Sequence, residues 1–417
     1  MDKLIVYADF DWLDSPRIVG ELTRQSLRGS ETFGFQFHSH WLRDFGKIFL
    51  SNDLTSFPGI QYSPVGKQLF GCFADALPDR WGRTLLARRE LLSAADEGRA
   101  PRRLTQFDYL IGIDDFSRIG AFRFKQSESG PFINSDEALR IPPITNLRTL
   151  MEAVKEVEDS DARNVLPQEK WLNQLIRPGS SLGGARPKAN VIGHDGHIYI
   201  AKFPSRNDDY DCALWEHICH CLAAIAGIKV AQTQLIENTA GHHTLLSRRF
   251  DRTPEGKRVH FASALTMLGL SDGDGADTGH GYVDMVDFLI QYCSDADKCL
   301  QELYRRVAFN ICVGNTDDHF RNHGFLLTKA GWELSPAYDM NPTLDRFQSL
   351  LINSATNESS LDVLLNSCEE YLLPRPTAES IIRQVVQAVA NWPAVARRLG
   401  APSVETRQFA SRFITAL

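Results

Sequence analysis

At 417 residues, with 43% hydrophobic and 23% charged side chains, the chain has globular composition and room for more than one core, which excludes disordered or low-complexity architecture. Forty-five basic against 52 acidic side chains leave a net charge of −7, so there is no basic excess to hold nucleic-acid phosphates directly. Apolar runs such as Leu222–Ile228 fall far short of the roughly 18 residues a membrane span needs, and the start, Met1-Asp2-Lys3, is not a secretory leader. Eight cysteines without a dense spacing suit reduced thiols in a cytoplasmic protein.

In chain order, Phe33, Phe35 and Phe37 alternate with smaller or polar residues and predict a half-buried strand. Leu77 to Arg83 leads into a helix over Thr84 to Leu92. From Lys125 to Asn146 the periodicity fades into Ser, Gly, Asp and a Pro142-Pro143 pair, the expected connection between domains. A Gly/Ser/Pro-rich loop over Pro178 to Lys188 precedes a predicted hairpin, Ala189 to Ile192 and Ile198 to Phe203, with its turn at His194-Asp195-Gly196. An amphipathic helix over Tyr210 to Ala226 should bury Leu214, Ile218, Cys221, Leu222 and Ile225 and end at Gly227. A strand over Thr244 to Phe250 follows. Beyond the glycine-rich loop Ser271 to Gly281 the pattern is mostly helical, with Pro374 and Pro376 breaking one helix and Thr377 able to cap the next.

Phosphoryl transfer needs backbone over the phosphates, a cation on their oxygens, oxygen ligands for magnesium and a carboxylate that orients the attacking hydroxyl. Candidates for each occur in kinase order. Gly183-Gly184 can bring backbone N–H groups close to an anion. Lys202 lies on the returning strand, 14 residues before Glu216 on the next helix. Asp317 and Asn322 stand in a D-x-x-x-x-N relation, in which the carboxylate takes a hydroxyl proton and the amide oxygen binds metal. Asp339 follows a strand-like stretch, where a second metal-holding carboxylate belongs. Asp339, Asn322 and the phosphates of ATP suffice for a Mg2+ site.

Two other clusters carry less. Cys212, His217, Cys219, His220 and Cys221 crowd one helix, whereas structural zinc is normally held by four ligands from loop-forming units. Asp272 to Asp277 resembles a calcium loop only faintly, with Ala276 and Asp277 at its fifth and sixth positions, and reads better as an acidic loop near the site.

Taken together, Ser180 to Lys188, Arg249-Phe250-Asp251-Arg252, Asn315 to Asn322 and Ala337-Tyr338-Asp339 resemble the HipA-type serine/threonine kinases, toxin members of bacterial type II toxin–antitoxin pairs. Leu77 to Arg83 and Arg118 to Phe124 are similar to that family's N-terminal region. The resemblance implies an α+β fold: a mixed α/β region over 1–150 with a linker at about 125–146, a strand-rich nucleotide-binding lobe over 151–255 and a mainly helical catalytic lobe over 256–417. By motif match, Asp317 would be the catalytic base, and Asn322 and Asp339 the Mg2+ ligands. Gly183, Gly184, Ala185, Arg186, Pro187, Lys188 and Lys202 would bind the ATP phosphates. Arg248, Arg249 and Phe250 would form the adenine-facing connection, with His319, Arg321 and Tyr338 also beside the nucleotide. Ser181 falls where the family autophosphorylates, a dianion that would expel the loop from the ATP site; its neighbour Ser180 is the alternative. Arg248 stands where relatives often carry Glu, and Arg321 where Lys is common.

The resemblance implies a protein substrate, with components of translation as the expected class, and a helix-turn-helix, HipB-like antitoxin through which any DNA contact would run. Two other readings use the same residues: a small-molecule phosphotransferase, and a non-catalytic corepressor with a kinase fold.

Overall fold

The computed structural model describes residues 2–27, 30–67, 69–135, 141–163, 165–179, 184, 186–238, 241–343 and 345–416. The chain packs as two compact units, each made of two separate stretches: Met1–Asp208 with Thr244–Phe261, and Asp209–His243 with Ala262–Leu417. These borders differ from those expected at about 150 and 255, and residues 125–146 lie within the first unit.

The first unit opens with a five-stranded antiparallel sheet in the order Gln61–Tyr62, Ser30–Phe37, Arg17–Leu27, Lys3–Ala8, Phe122–Lys125. The alternation read from the phenylalanines holds: Phe33, Phe35 and Phe37 are buried while Thr32 and Gln36 face out. Phe35 packs on Phe37 and Phe73 at 5.0 and 5.1 Å between ring centroids, so the sheet's apolar face is largely aromatic. Helix Arg80–Asp96 starts where Asp79 accepts the Gly82 N–H at 2.7 Å. The expected hairpin is Lys188–Ile192 against Ile198–Lys202, with Asn190 opposite Ile200 and Lys188 opposite Lys202. Its turn closes through the Gly196 N–H on the Gly193 carbonyl, with Gly196 at φ +78°. Tyr199 to Lys202 also pair with Arg248 to Leu245.

In the second unit, helix Cys212–Ile225 is capped by Asp211, which accepts the Leu214 N–H at 3.0 Å. Its buried stripe is rotated from the expected one. Trp215 and Cys219 join Leu214, Ile218 and Leu222 inside, while Cys221 is half-buried and Ile225 is 55% exposed. The Trp215 ring packing 4.6 Å from Phe409 accounts for that rotation. Helix Arg375–Val389 packs against Ala296–Val313. Pro374 precedes it and Pro376 sits in its first turn, so the two prolines begin this helix instead of breaking one, and Thr377 lies inside it. A hairpin, Gly324–Thr328 with Gly331–Leu334, follows the segment Asn315 to Asn322.

Candidate active site

Helix Ala296–Val313 ends at Gly314 in the left-handed conformation, φ +69°, which turns the chain into the segment Asn315 to Asn322. That segment is strapped down by its backbone. The Gly314 carbonyl accepts the Thr343 N–H at 2.9 Å, and the Thr316 carbonyl accepts both the N–H and the hydroxyl of Ser349 at 2.9 Å. Burial then alternates: Thr316, Asp318, Phe320 and Asn322 point inward, while Asp317, His319 and Arg321 are exposed.

Asp318 supplies the support. Its Oδ2 accepts from Tyr282 Oη at 2.7 Å, Asn310 Nδ2 at 2.6 Å and His323 Nε2 at 2.7 Å, all within the buried interior. Three donors on one oxygen fix the loop on both sides of Asp317. Burial, reinforced by the Asp318 charge, pushes the Tyr282 hydroxyl well above its ordinary pKa, so it stays a donor. The sequence placed Asp318 in the motif without a role, and Tyr282, Asn310 and His323 went unremarked.

Asn322 closes a turn with its N–H on the His319 carbonyl at 2.8 Å and turns its Nδ2 to the Asp317 carbonyl at 3.3 Å. The amide nitrogen is used inside the loop, and the amide oxygen is the atom suited to a cation. Asp339 arrives on a separate strand end. The Ser335 carbonyl is held by Arg306 Nη2 at 2.7 Å, and Ala337 exchanges backbone hydrogen bonds with Lys229 and Ala231 at 2.7 and 3.1 Å. Tyr338 Oη donates to the Arg321 carbonyl at 2.6 Å, tying this strand end to the end of the loop. Asp339 itself is left-handed at φ +60°, a conformation a non-glycine residue holds only where its surroundings enforce it. The Asp317 carboxyl is pushed up from the ordinary carboxylate range by partial burial; His319 opposes this, and the charges of Asp339, Asp318 and Asp345 add to it. The carboxylate of Asp339 and the amide oxygen of Asn322 are hard oxygen donors, of the kind Mg2+ takes.

Arg321 forks onto Asp272, Nε to Oδ1 at 2.5 Å and Nη2 to Oδ2 at 2.9 Å, which joins the acidic loop Ser271 to Gly281 to the segment Asn315 to Asn322. Asp272 is used as an ion-pair partner there, and Asp274 accepts the Ser271 N–H at 2.7 Å.

The phosphate-side candidates belong to the first unit. Ser180, Ser181, Gly183 and Ala185 lie outside the described residues. Gly184 has φ +96°, Arg186 pairs with Asp208 at 2.5 Å, and the Pro187 carbonyl accepts the Phe203 N–H at 3.0 Å. Lys188 is buried, and Lys202 lies opposite it across the hairpin. Arg248 Nη2 meets His197 Nε2 at 2.9 Å, and Phe250 is half-buried, 6.1 Å from Phe261. The Arg249 side chain is turned inward. It reaches Asp251 at 2.6 Å, the Ser117 carbonyl at 2.6 Å and Asn190 at 3.0 Å, while its N–H bonds the Ile198 carbonyl. Its guanidinium is committed to the core of the unit, which leaves its carbonyl as the group for any adenine contact.

In the cysteine–histidine helix, His217 Nδ1 lies 2.8 Å from Thr233 Oγ1 and Cys221 Sγ 3.8 Å from His217 Nε2. Among the described residues no group of three or more His, Cys, Asp or Glu side chains is arranged to hold a metal ion, and no helix is long and apolar enough to cross a membrane.

Comparison with solved structures finds the same α+β architecture in the HipA of Shewanella oneidensis, solved with HipB and its operator DNA: TM-score 0.65, 18% identity, covering 99% of this chain and 95% of that one. The family described as HipA-like C-terminal domain matches residues 180–392, just over half of the chain, and the chain belongs to that family. The serine/threonine-protein kinase toxin HipA of Shewanella oneidensis is 27% identical over 227 residues, 48% of this chain and 50% of that protein, so the match spans about half the length of that relative.

Proposed function

We propose that the protein is an ATP- and Mg2+-dependent serine/threonine protein kinase of the HipA toxin type. The observation that supports this reading is the strapped loop bearing Asp317 and Asn322, tied through the Tyr338 hydroxyl on the Arg321 carbonyl to the strand end bearing Asp339. Asp317 takes the proton of the substrate hydroxyl as its oxygen attacks the γ-phosphorus and the bond to the bridging oxygen of ADP breaks. A raised pKa suits it to that task. Bound through Asn322 and Asp339, Mg2+ would neutralise phosphate charge. Gly183 to Lys188 and Lys202 hold the phosphates, and His319, Arg321 and Tyr338 flank the nucleotide. Arg248, the Arg249 backbone and Phe250 face adenine. Functionally, the chain works as an N-terminal region over 1–150, a nucleotide lobe over 151–255 and a catalytic lobe over 256–417.

Ser181, or Ser180 beside it, is the autophosphorylation site, the substrate is a cytoplasmic protein, and a helix-turn-helix antitoxin neutralises the enzyme. The structure of Shewanella oneidensis HipA solved with HipB and its operator DNA supports a partner of that kind. Incubating the pure chain with ATP and Mg2+ and mapping phosphopeptides tests the reading. Label on Ser181 or Ser180 that Asp317→Asn abolishes is the expected result; nucleotide binding without any phosphate incorporation by wild type contradicts it.

A further inference from the structure

The segment Leu77 to Arg83 looks like an ordinary helix start, yet it grips the strand that carries Lys188. Asp79 uses its two carboxylate oxygens for different purposes. Oδ1 caps helix Arg80–Asp96 through the Gly82 N–H at 2.7 Å. Oδ2 faces Lys188 Nζ at 3.5 Å, with both side chains more than nine-tenths buried. That separation is an ion pair but longer than a hydrogen bond, and among the described residues Asp79 Oδ2 is a buried oxygen without a hydrogen-bond partner. Trp81 adds two further ties: its indole Nε1 donates to the Lys188 carbonyl at 3.0 Å, and its N–H reaches the Gly184 carbonyl at 3.4 Å. The ammonium ends up directly under the glycine. A Cβ placed on Gly184 would lie 2.7 Å from Lys188 Nζ, so no other residue fits there without moving the lysine.

A buried carboxylate is a poor way to stabilise a core. Burial pushes the Asp79 carboxyl up to about 6, outweighing the opposing pull of Lys188. An apolar residue at this position would avoid that cost, and a neutral Asn would cap the helix as well. What neither supplies is a negative charge behind the ammonium.

We propose that Asp79 is a positioning residue for nucleotide binding: its carboxylate, with Trp81, holds the Lys188 ammonium beneath Gly184, where the phosphates of ATP meet it. This inference rests on the kinase reading above. It assigns the N-terminal region a part in the ATP site, through a lysine that it holds and without itself touching nucleotide.

The test is Mg·ATP binding and single-turnover autophosphorylation by the full chain carrying Asp79→Asn, Trp81→Phe, Lys188→Gln, or Asp79→Asn with Lys188→Gln. Asp79→Asn keeps the cap and removes the charge. Its ATP affinity should fall about tenfold, as expected from one charge-assisted contact. Its single-turnover rate of autophosphorylation at saturating Mg·ATP should change less than about twofold. Trp81→Phe should weaken ATP about threefold. Asp79→Asn should add nothing once Lys188 is Gln. Unchanged or tighter ATP binding by a folded Asp79→Asn overturns the inference, as does full additivity in the double variant. Should Asp79→Asn fail to fold, wild-type affinity in Trp81→Phe overturns it instead. A wild-type chain that binds no nucleotide removes the kinase reading and this inference together, whereas normal wild-type binding with an indifferent Asp79→Asn removes only the inference.

Discussion

Asp251 in the first unit and Asp318 in the second are both buried carboxylates, 4% and 3% exposed, satisfied by opposite chemistries. Asp251 sits among cations. Arg249 reaches it at 2.6 Å, Arg252 at 2.8 Å, and the Gly120 N–H completes the set at 2.9 Å. Burial pushes its pKa up, but the two guanidinium groups overcome that and hold the carboxyl well below the ordinary range. Around it Arg123 and Arg258 pair with Asp115 and Asp9, so segments far apart in sequence are clamped by ion pairs. Asp318 instead takes hydrogen bonds from a phenol, an amide and an imidazole, with no Lys or Arg on its carboxylate among the described contacts. The first cluster neutralises its acids internally and is architecture. The second leaves negative charge beside Asp317, as the proposed site for a divalent cation and a proton acceptor would require.

Removing each carboxylate in turn breaks that contrast most sharply. Asp251→Ala strands two buried guanidinium groups and should cost about 3–5 kcal/mol of stability in denaturant unfolding. Asp318→Ala strands three neutral donors and should cost about 2–4 kcal/mol, and it should suppress phosphate incorporation even though Asp317 is untouched. Equal, negligible losses in both variants would contradict the account.

Next in size is a pH effect confined to the first unit. His260 packs between Phe10 and Phe122, at 5.2 and 4.4 Å, and burial lowers its pKa to about 3. Once unfolded, the imidazole takes a proton below about pH 6.5, so the stabilisation is complete above that pH and drains away as pH falls toward 3. Between pH 7 and pH 4 wild type should lose on the order of 2–3 kcal/mol that His260→Phe does not lose, read from unfolding midpoints across the range. The smallest effect belongs to the exposed Arg321–Asp272 fork: Asp272→Asn should alter stability by less than about 1 kcal/mol.

The two clusters also differ in how far they could be read in sequence. Asp317, Asn322 and Asp339 could be proposed from the sequence because phosphoryl transfer fixes residue type and spacing, and the hairpin over Lys188–Ile192 and Ile198–Lys202 was legible because period two and His194-Asp195-Gly196 leave few alternatives. Arg249 carried an expected adenine role by motif position, but its bonds to the carbonyls of Ser117 and Arg118 join segments more than 130 positions apart. The same holds for Asp79, 109 positions from Lys188 in the chain. Ile225 was placed inside by helical periodicity alone, and the Trp215 contact with Phe409, distant in sequence, turned the helix away from it. Local pattern reports local geometry; pairs across more than a hundred residues leave no periodic trace.

Calorimetric titration of ATP into the full chain, with and without Mg2+, tests the central claim most directly when wild type is set beside Asp339→Asn. Asn tolerates the left-handed conformation at φ +60°, so the variant should keep its melting curve. Wild type should bind ATP much more tightly with Mg2+ than without, and Asp339→Asn should lose that dependence. Identical Mg2+-dependent binding by the variant would show that Asp339 holds no metal and would contradict the proposed site.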